Sequence, residues 1–134
     1  MNTLVNPSTI AAPAAKYSHA VASTAGSRML HTSGVVPTRP DGSVPTDVVE
    51  QAVTVWVSIG EILAVAGFTY RDIVSITTYV VAGNPLAGVM AVRDRVLDGH
   101  LAASTLVMVP ALARAEWLLE IAVVAATDRP GSPG

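Results

Sequence analysis

The stretch Ile73-Val74-Ser75-Ile76-Thr77-Thr78-Tyr79-Val80-Val81 decides how the rest of the chain is read. Val74, Ile76, Thr78 and Val80 fall on one side of an extended chain, and Ser75, Thr77 and Tyr79 on the other. That period of two predicts a strand. The pattern on either side has a different period. Upstream, Val49, Val53, Trp56, Ile59, Ile62 and Leu63 recur at helical spacing, opposite a wet stripe of Asp47, Gln51, Thr54, Ser58 and Glu61. Thr46 or Asp47 can cap this segment, Asp47 with Glu50 has capping-box spacing, and Gly67 is a stop, so a helix is predicted over 47–66. Downstream, Asn84-Pro85 predicts a second helix start. Leu86, Val89, Met90, Arg93, Val96 and Leu97 then run along one side, and Gly99 ends the segment.

Further out, strands are predicted at about 105–109 and 117–126, joined by residues 110–116. Two short strands, Ser18–Ser23 and Arg28–Thr32, precede the first helix; the spacer Thr24-Ala25-Gly26-Ser27 predicts that they form a hairpin. The loop that follows contains the turn signal Asp41-Gly42. The order β-β-α-β-α-β-β, with both helices on one face of the sheet, makes an α+β sandwich. The sheet's other face still carries apolar side chains, and the chain has no third layer to cover it. Copies are therefore expected to pack sheet to sheet in a closed, symmetric oligomer.

Composition agrees and narrows the function. The chain has 134 residues, the size of one domain. We divide it into a flexible N-terminal segment 1–15, a domain 16–127 and a disordered tail 128–134 rich in Pro and Gly. It is 51% apolar and 13% charged, more apolar material than a lone domain usually needs. Net charge is −2, and the eight basic residues, Lys16 and seven arginines, are scattered. Nucleic-acid binding draws on clustered cations and stacking aromatics, and aromatics make up only 4% of the chain, so no nucleic-acid partner is expected. Apolar runs are broken by Gly, Pro or charge short of the ~20 residues of a membrane span. No basic and apolar leader opens the chain. The absence of cysteine excludes disulfides and thiolate chemistry and fits a reducing cytoplasm. A soluble, cytoplasmic protein is the expectation.

Few residues carry chemistry. Glu120 lies in the apolar run Trp117–Val124, sharing a face with Leu118, Ala122 and Val124. A carboxylate there is costly to bury unless paired or protonated, and such carboxylates often act as acids or bases. The alternative is an edge position from which it reaches water. His19, His31 and His100 lack ligand spacing, so no metal site is expected. No nucleophile elbow, P-loop or dinucleotide fingerprint is present.

Taken together, Tyr17-Ser18-His19-Ala20, His31-Thr32-Ser33-Gly34-Val35-Val36-Pro37, Gln51, Ala66-Gly67, Asp72-Ile73-Val74 with Thr77-Thr78-Tyr79-Val80, and Leu119-Glu120-Ile121 resemble the RidA/YjgF family, also labelled L-PSP endoribonuclease. The resemblance covers residues 15–126. It implies a chorismate-mutase-like fold and a homotrimer with a central barrel, outer helices and three clefts between subunits. It also implies hydrolysis of enamines and imines derived from amino acids, without cofactor or metal. Carried over residue by residue, Tyr17 matches the cleft tyrosine, and Ser33 and Gly34 the serine-glycine pair lining the pocket. Glu120 matches the glutamate that positions or activates water, and His19 stands near enough in sequence to hydrogen-bond substrate. The family's substrate-gripping arginine is replaced: Ser104, or Ala103 in the alternative register, stands in its place. Met90 stands for a common asparagine, and Ala122 for a second glutamate. The loop before the last strand is longer and carries Arg114, Glu116 and Trp117, of which Arg114 and Trp117 are further candidates for the cleft. An arginine contact to a carboxylate is worth roughly 1.5–3 kcal/mol net, and a serine recovers only part of it. Two readings follow. One is an enzyme acting on an enamine, imine or related activated carbonyl compound, with 2-imino-acid deamination disfavoured by Ser104. The other is a non-catalytic metabolite-binding or regulatory trimer.

Overall fold

Asp47 begins the long helix. Its carboxylate accepts hydrogen bonds from the backbone N–H groups of Val49 and Glu50, both at 3.1 Å, and α1 runs Val48–Val65. Gly67 follows at φ 82°, the left-handed conformation that closes helix ends. The computed structural model describes residues 1–131. Its other elements are β1 (Asn2–Val5), β2 (Ala20–Ser23), β3 (Arg28–His31), β4 (Ile73–Val81), α2 (Ala87–Leu97), β5 (Ala103–Val109) and β6 (Leu119–Thr127).

The main sheet has the order β3-β6-β4-β5. Only β4 and β5 run parallel, as expected for two strands joined through a helix. The alternation of β4 is realised: Ile76, Thr78 and Val80 are buried and Ser75, Thr77 and Tyr79 half-buried. On β6, Leu119, Ile121, Val123 and Ala125 are buried, with Glu120, Ala122 and Val124 half-buried between them. The buried set forms one core with Val55, Trp56, Ile59 and Leu63 of α1 and Val89, Val92 and Leu97 of α2. Both helices therefore cover the same sheet face, and the α+β sandwich holds. By length and composition α1 could cross a membrane, with 18 residues at a mean hydropathy of 1.6. Its apolar face is instead sealed inside this core.

The structure corrects several expectations. β2 and β3 do not form a hairpin: β2 pairs with β1, and β3 pairs with β6. The long strand β6 has two edges to offer, and joining it brings Leu30 against the core. β2 carries no buried side chain and is held by the N-terminal strand instead. Asn2–Val5, within the segment expected to be flexible, thus adds one strand to the anticipated order. On α1, Val53 and Ile62 face outward, whereas Gln51, assigned to the wet stripe, is fully buried. The sheet selects the face containing Val48, Ala52, Val55 and Ile59, and Gln51 lies beside it. Asn84 caps nothing; its Nδ2 donates to Val81 O at 2.9 Å, and α2 begins three residues later, with no side-chain cap. Of the expected tail, residues 132–134 lie outside the described residues.

Arg129 reaches back to Asp72, donating to Oδ1 at 3.2 Å and to Oδ2 at 2.5 Å. Burial alone would raise the Asp72 carboxyl pKa. The hydrogen bonds from Arg129 and from the Thr69 backbone, with the guanidinium charge, outweigh it and hold the group below its ordinary value. A carboxyl with a depressed native pKa contributes stability above its unfolded value near 4. That contribution disappears as pH falls through the native value. Asp72→Asn is therefore expected to narrow the difference in urea midpoint between pH 7 and pH 3. The effect will be modest, because the Arg129 side chain is 56% exposed and the pair is screened. An unchanged difference would remove Asp72 from the acid response.

Candidate functional site

Glu120 pairs across the sheet with Tyr79, and both belong to the face that the helices leave open. The chain segment after β3 is fastened alongside. Thr32 N donates to Val123 O at 3.0 Å, its hydroxyl accepts from Val123 N at 2.9 Å, and Val35 exchanges backbone bonds of 2.7 and 3.1 Å with Ile121. Gly34, between these anchors, lies directly against the Glu120 side chain. A Cβ on Gly34 would stand 2.6 Å from the Glu120 carboxyl carbon and closer still to Oε2. Only a glycine leaves the carboxylate where it is. Ser33, next to it, is exposed.

The second group forms at the other edge of the sheet. Ser18 N donates to Ala102 O at 2.9 Å and bridges β5 at Ala103, which brings Tyr17 beside Ser104. Tyr17, Met90, Arg93, Ser104 and Leu106 line one cavity of about 250 Å³, closed by Ala15 and Leu86. The Tyr17 hydroxyl accepts from Ala14 N at 3.2 Å, and its ring meets the edge of His19, whose Nε2 lies 2.7 Å from Ala11 O. Larger hollows occur elsewhere, notably a groove of about 460 Å³ along the outer side of α1. The smaller cavity is the one where a tyrosine, a serine and an arginine converge.

The two groups cannot meet within one chain. Ser104 pairs with Ile76 and Glu120 with Tyr79. Positions 76 and 79 are three residues apart on β4, so their side chains leave opposite faces of the sheet. Ser104 thus looks toward α2, and Glu120 away from it.

Nearly the whole of this arrangement lies within a match to the endoribonuclease L-PSP family, which spans residues 8–127. The chain belongs to the RidA/YjgF family. Among solved structures, this RidA/YjgF protein is similar to YyfB of Yersinia pestis, a protein of unknown function of the conserved Rid family. The identity is 34% and the TM-score 0.85, over 94% of this chain and 98% of that one. It is also similar to YjgF of E. coli (28% identity, TM-score 0.69, 92% and 98% covered). A third similar structure is E. coli TdcF with bound serine (25% identity, TM-score 0.70, 94% and 99% covered). No curated protein matches the sequence.

Of the sequence-predicted residues, Tyr17 and Ser104 share the cavity, and Gly34 and Glu120 share the open face. Arg114 and Trp117 join neither group: the exposed Arg114 guanidinium lies over the half-buried Trp117 ring at 5.3 Å. The residue that sequence reasoning left out is Arg93. The signal was its place on the apolar side of α2, where a charge needs a reason.

Proposed function

We propose that this RidA/YjgF protein binds a small activated carbonyl or imine metabolite in a cleft between the subunits of a homotrimer, with Glu120 handling water or a proton. The observation that carries the reading is the packing of Gly34 against the Glu120 carboxylate on the open sheet face. The bare backbone of Gly34 makes room for the carboxylate itself, which lies on the open face as a base that a bound ligand or water can reach. Tyr17 and Ser104 lie on the helix side of the sheet's other edge. A neighbouring copy, covering the open face, supplies their counterparts and completes the cleft. Ser33, His19, Arg114 and Trp117, which lie outside the cavity lined by Tyr17 and Ser104, are assigned to the ligand only as further contacts in the assembled trimer. No cofactor or metal enters this scheme. Nor does RNA, given eight scattered cations and a net charge of −2. A cytoplasmic setting suits a cysteine-free chain.

The test is ammonia release from 2-aminoacrylate-type imines. Glu120→Ala is expected to reduce it at least about a hundredfold, the lower end of what loss of a general acid or base costs. Gly34→Ala is expected to act similarly through displacement of the carboxylate while leaving the unfolding midpoint nearly unchanged, since a flexible side chain can move aside. A rate at background, or one that Glu120→Ala does not alter, sinks the enzymatic reading. What favours the second reading, a non-catalytic metabolite-binding trimer, is the resemblance, which leaves Ser104 or Ala103 where the family's substrate-gripping arginine is expected. That reading expects stabilisation by ligand without turnover.

A further inference from the structure

Arg93 is a buried arginine with an incomplete set of partners. It is 6% exposed, and its Nε and Nη2 both donate to one oxygen of the neighbouring Asp94, at 3.1 and 3.0 Å. That leaves most of the guanidinium's five N–H groups uncommitted, and Nη1 makes no hydrogen bond among the described residues. Burying a guanidinium costs free energy that a single in-line neighbour only partly offsets. Among the cavity-lining residues Arg93 is alone in carrying a charge; around it are the Tyr17 and Ser104 hydroxyls and the apolar walls of Met90 and Leu106. A small, mostly apolar cavity with one cation and two hydroxyls selects for a small anion, and a planar carboxylate fits the fork.

We infer that Arg93, projecting from α2, is the residue that anchors the ligand's carboxylate in this cavity, a role the β5 position occupied by Ser104 does not fill. The short side chain of Ser104 on β5 leaves the space across which a helix-borne arginine reaches the ligand. This rests on reading the cleft as a small-metabolite site.

The experiment compares pyruvate with its neutral amide, pyruvamide, titrated into the full chain at constant ionic strength and followed by backbone amide chemical shifts. Pyruvate is expected to bind about tenfold more tightly or better, the scale of one charge-assisted contact. Arg93→Met should abolish that preference, bringing pyruvate down to the affinity of pyruvamide, and an unchanged urea unfolding midpoint controls for folding. Arg93→Lys should keep part of it. Adding Ser104→Arg to Arg93→Met should restore it, because the strand position faces the same cavity. Equal binding of the two probes, or a preference that survives Arg93→Met, overturns the role of Arg93 and leaves the cleft reading standing. Binding of neither probe overturns the cleft reading and this inference with it.

Discussion

Replacing Trp56 by alanine is expected to lower folding stability by about 3–5 kcal/mol. Trp56 is 1% exposed and sits where α1 meets the sheet, in the same core as Ile59, Leu63, Ile76 and Leu119. Tyr70 packs edge-on against it at 6.1 Å between ring centres and donates its hydroxyl to the Trp56 carbonyl at 2.6 Å. Truncation removes the largest side chain of the core and leaves a void that a helix fixed at both ends cannot close. Native domains have only about 5–15 kcal/mol to lose, so much of the variant is expected to unfold under mild denaturant. Trp56→Phe should cost far less. The smaller ring keeps most of the apolar contact, and the indole Nε1 it removes is buried without a partner among the described residues. Urea unfolding followed by far-ultraviolet circular dichroism measures both. A loss below about 1 kcal/mol for the alanine variant would mean that the core collapses around the gap.

Gln51→Ala is expected to cost about 2–4 kcal/mol, through hydrogen bonds rather than packing. The Gln51 amide nitrogen donates to Pro45 O at 2.7 Å and to Glu116 O at 2.8 Å, and its oxygen accepts from Leu118 N at 2.8 Å. One side chain thus fastens the lead-in to α1 to the lead-in to β6. Removing it strands the buried Pro45 carbonyl and the part-buried Glu116 carbonyl and Leu118 N–H. Gln51→Glu preserves shape but is expected to be no better than alanine, because two of the three bonds require a donor. A glutamate variant as stable as the parent would contradict this. Because Leu118 stands two residues before Glu120, loosening the loop is also expected to weaken ligand binding in the cleft.

Gln51 shows how far the sequence could be read. By hydropathy alone it belonged to the wet stripe of α1, since periodicity registers polarity and not hydrogen-bond partners. Only the resemblance marked it, through its place at the start of the long helix. Arg93 is the converse case. Its position on an apolar face was visible in the sequence, yet its meaning depended on Tyr17 and Ser104 arriving at the same cavity from 76 residues upstream and 11 downstream. Glu120 was legible as an isolated carboxylate on a half-covered strand. The resemblance put Gly34 in the same pocket, but only the structure makes it the immediate neighbour, because a contact across 86 positions leaves no local pattern.

Local chemistry settled what lies within a few residues. The alternation of 73–81, a cap at Thr46 or Asp47, the Gly67 stop and the facing of Glu120 all follow from backbone geometry and side-chain polarity. Tertiary structure decided which strand edges meet. The Thr24–Ser27 turn could have closed a hairpin, but β2 and β3 each found another partner. Pairing depends on which edges are free and what each strand can bury, and that is a property of the assembled sheet. The same holds for the site. β4 sends Ser104 and Glu120 to opposite faces because one pairs with residue 76 and the other with residue 79, a parity that only the register could fix.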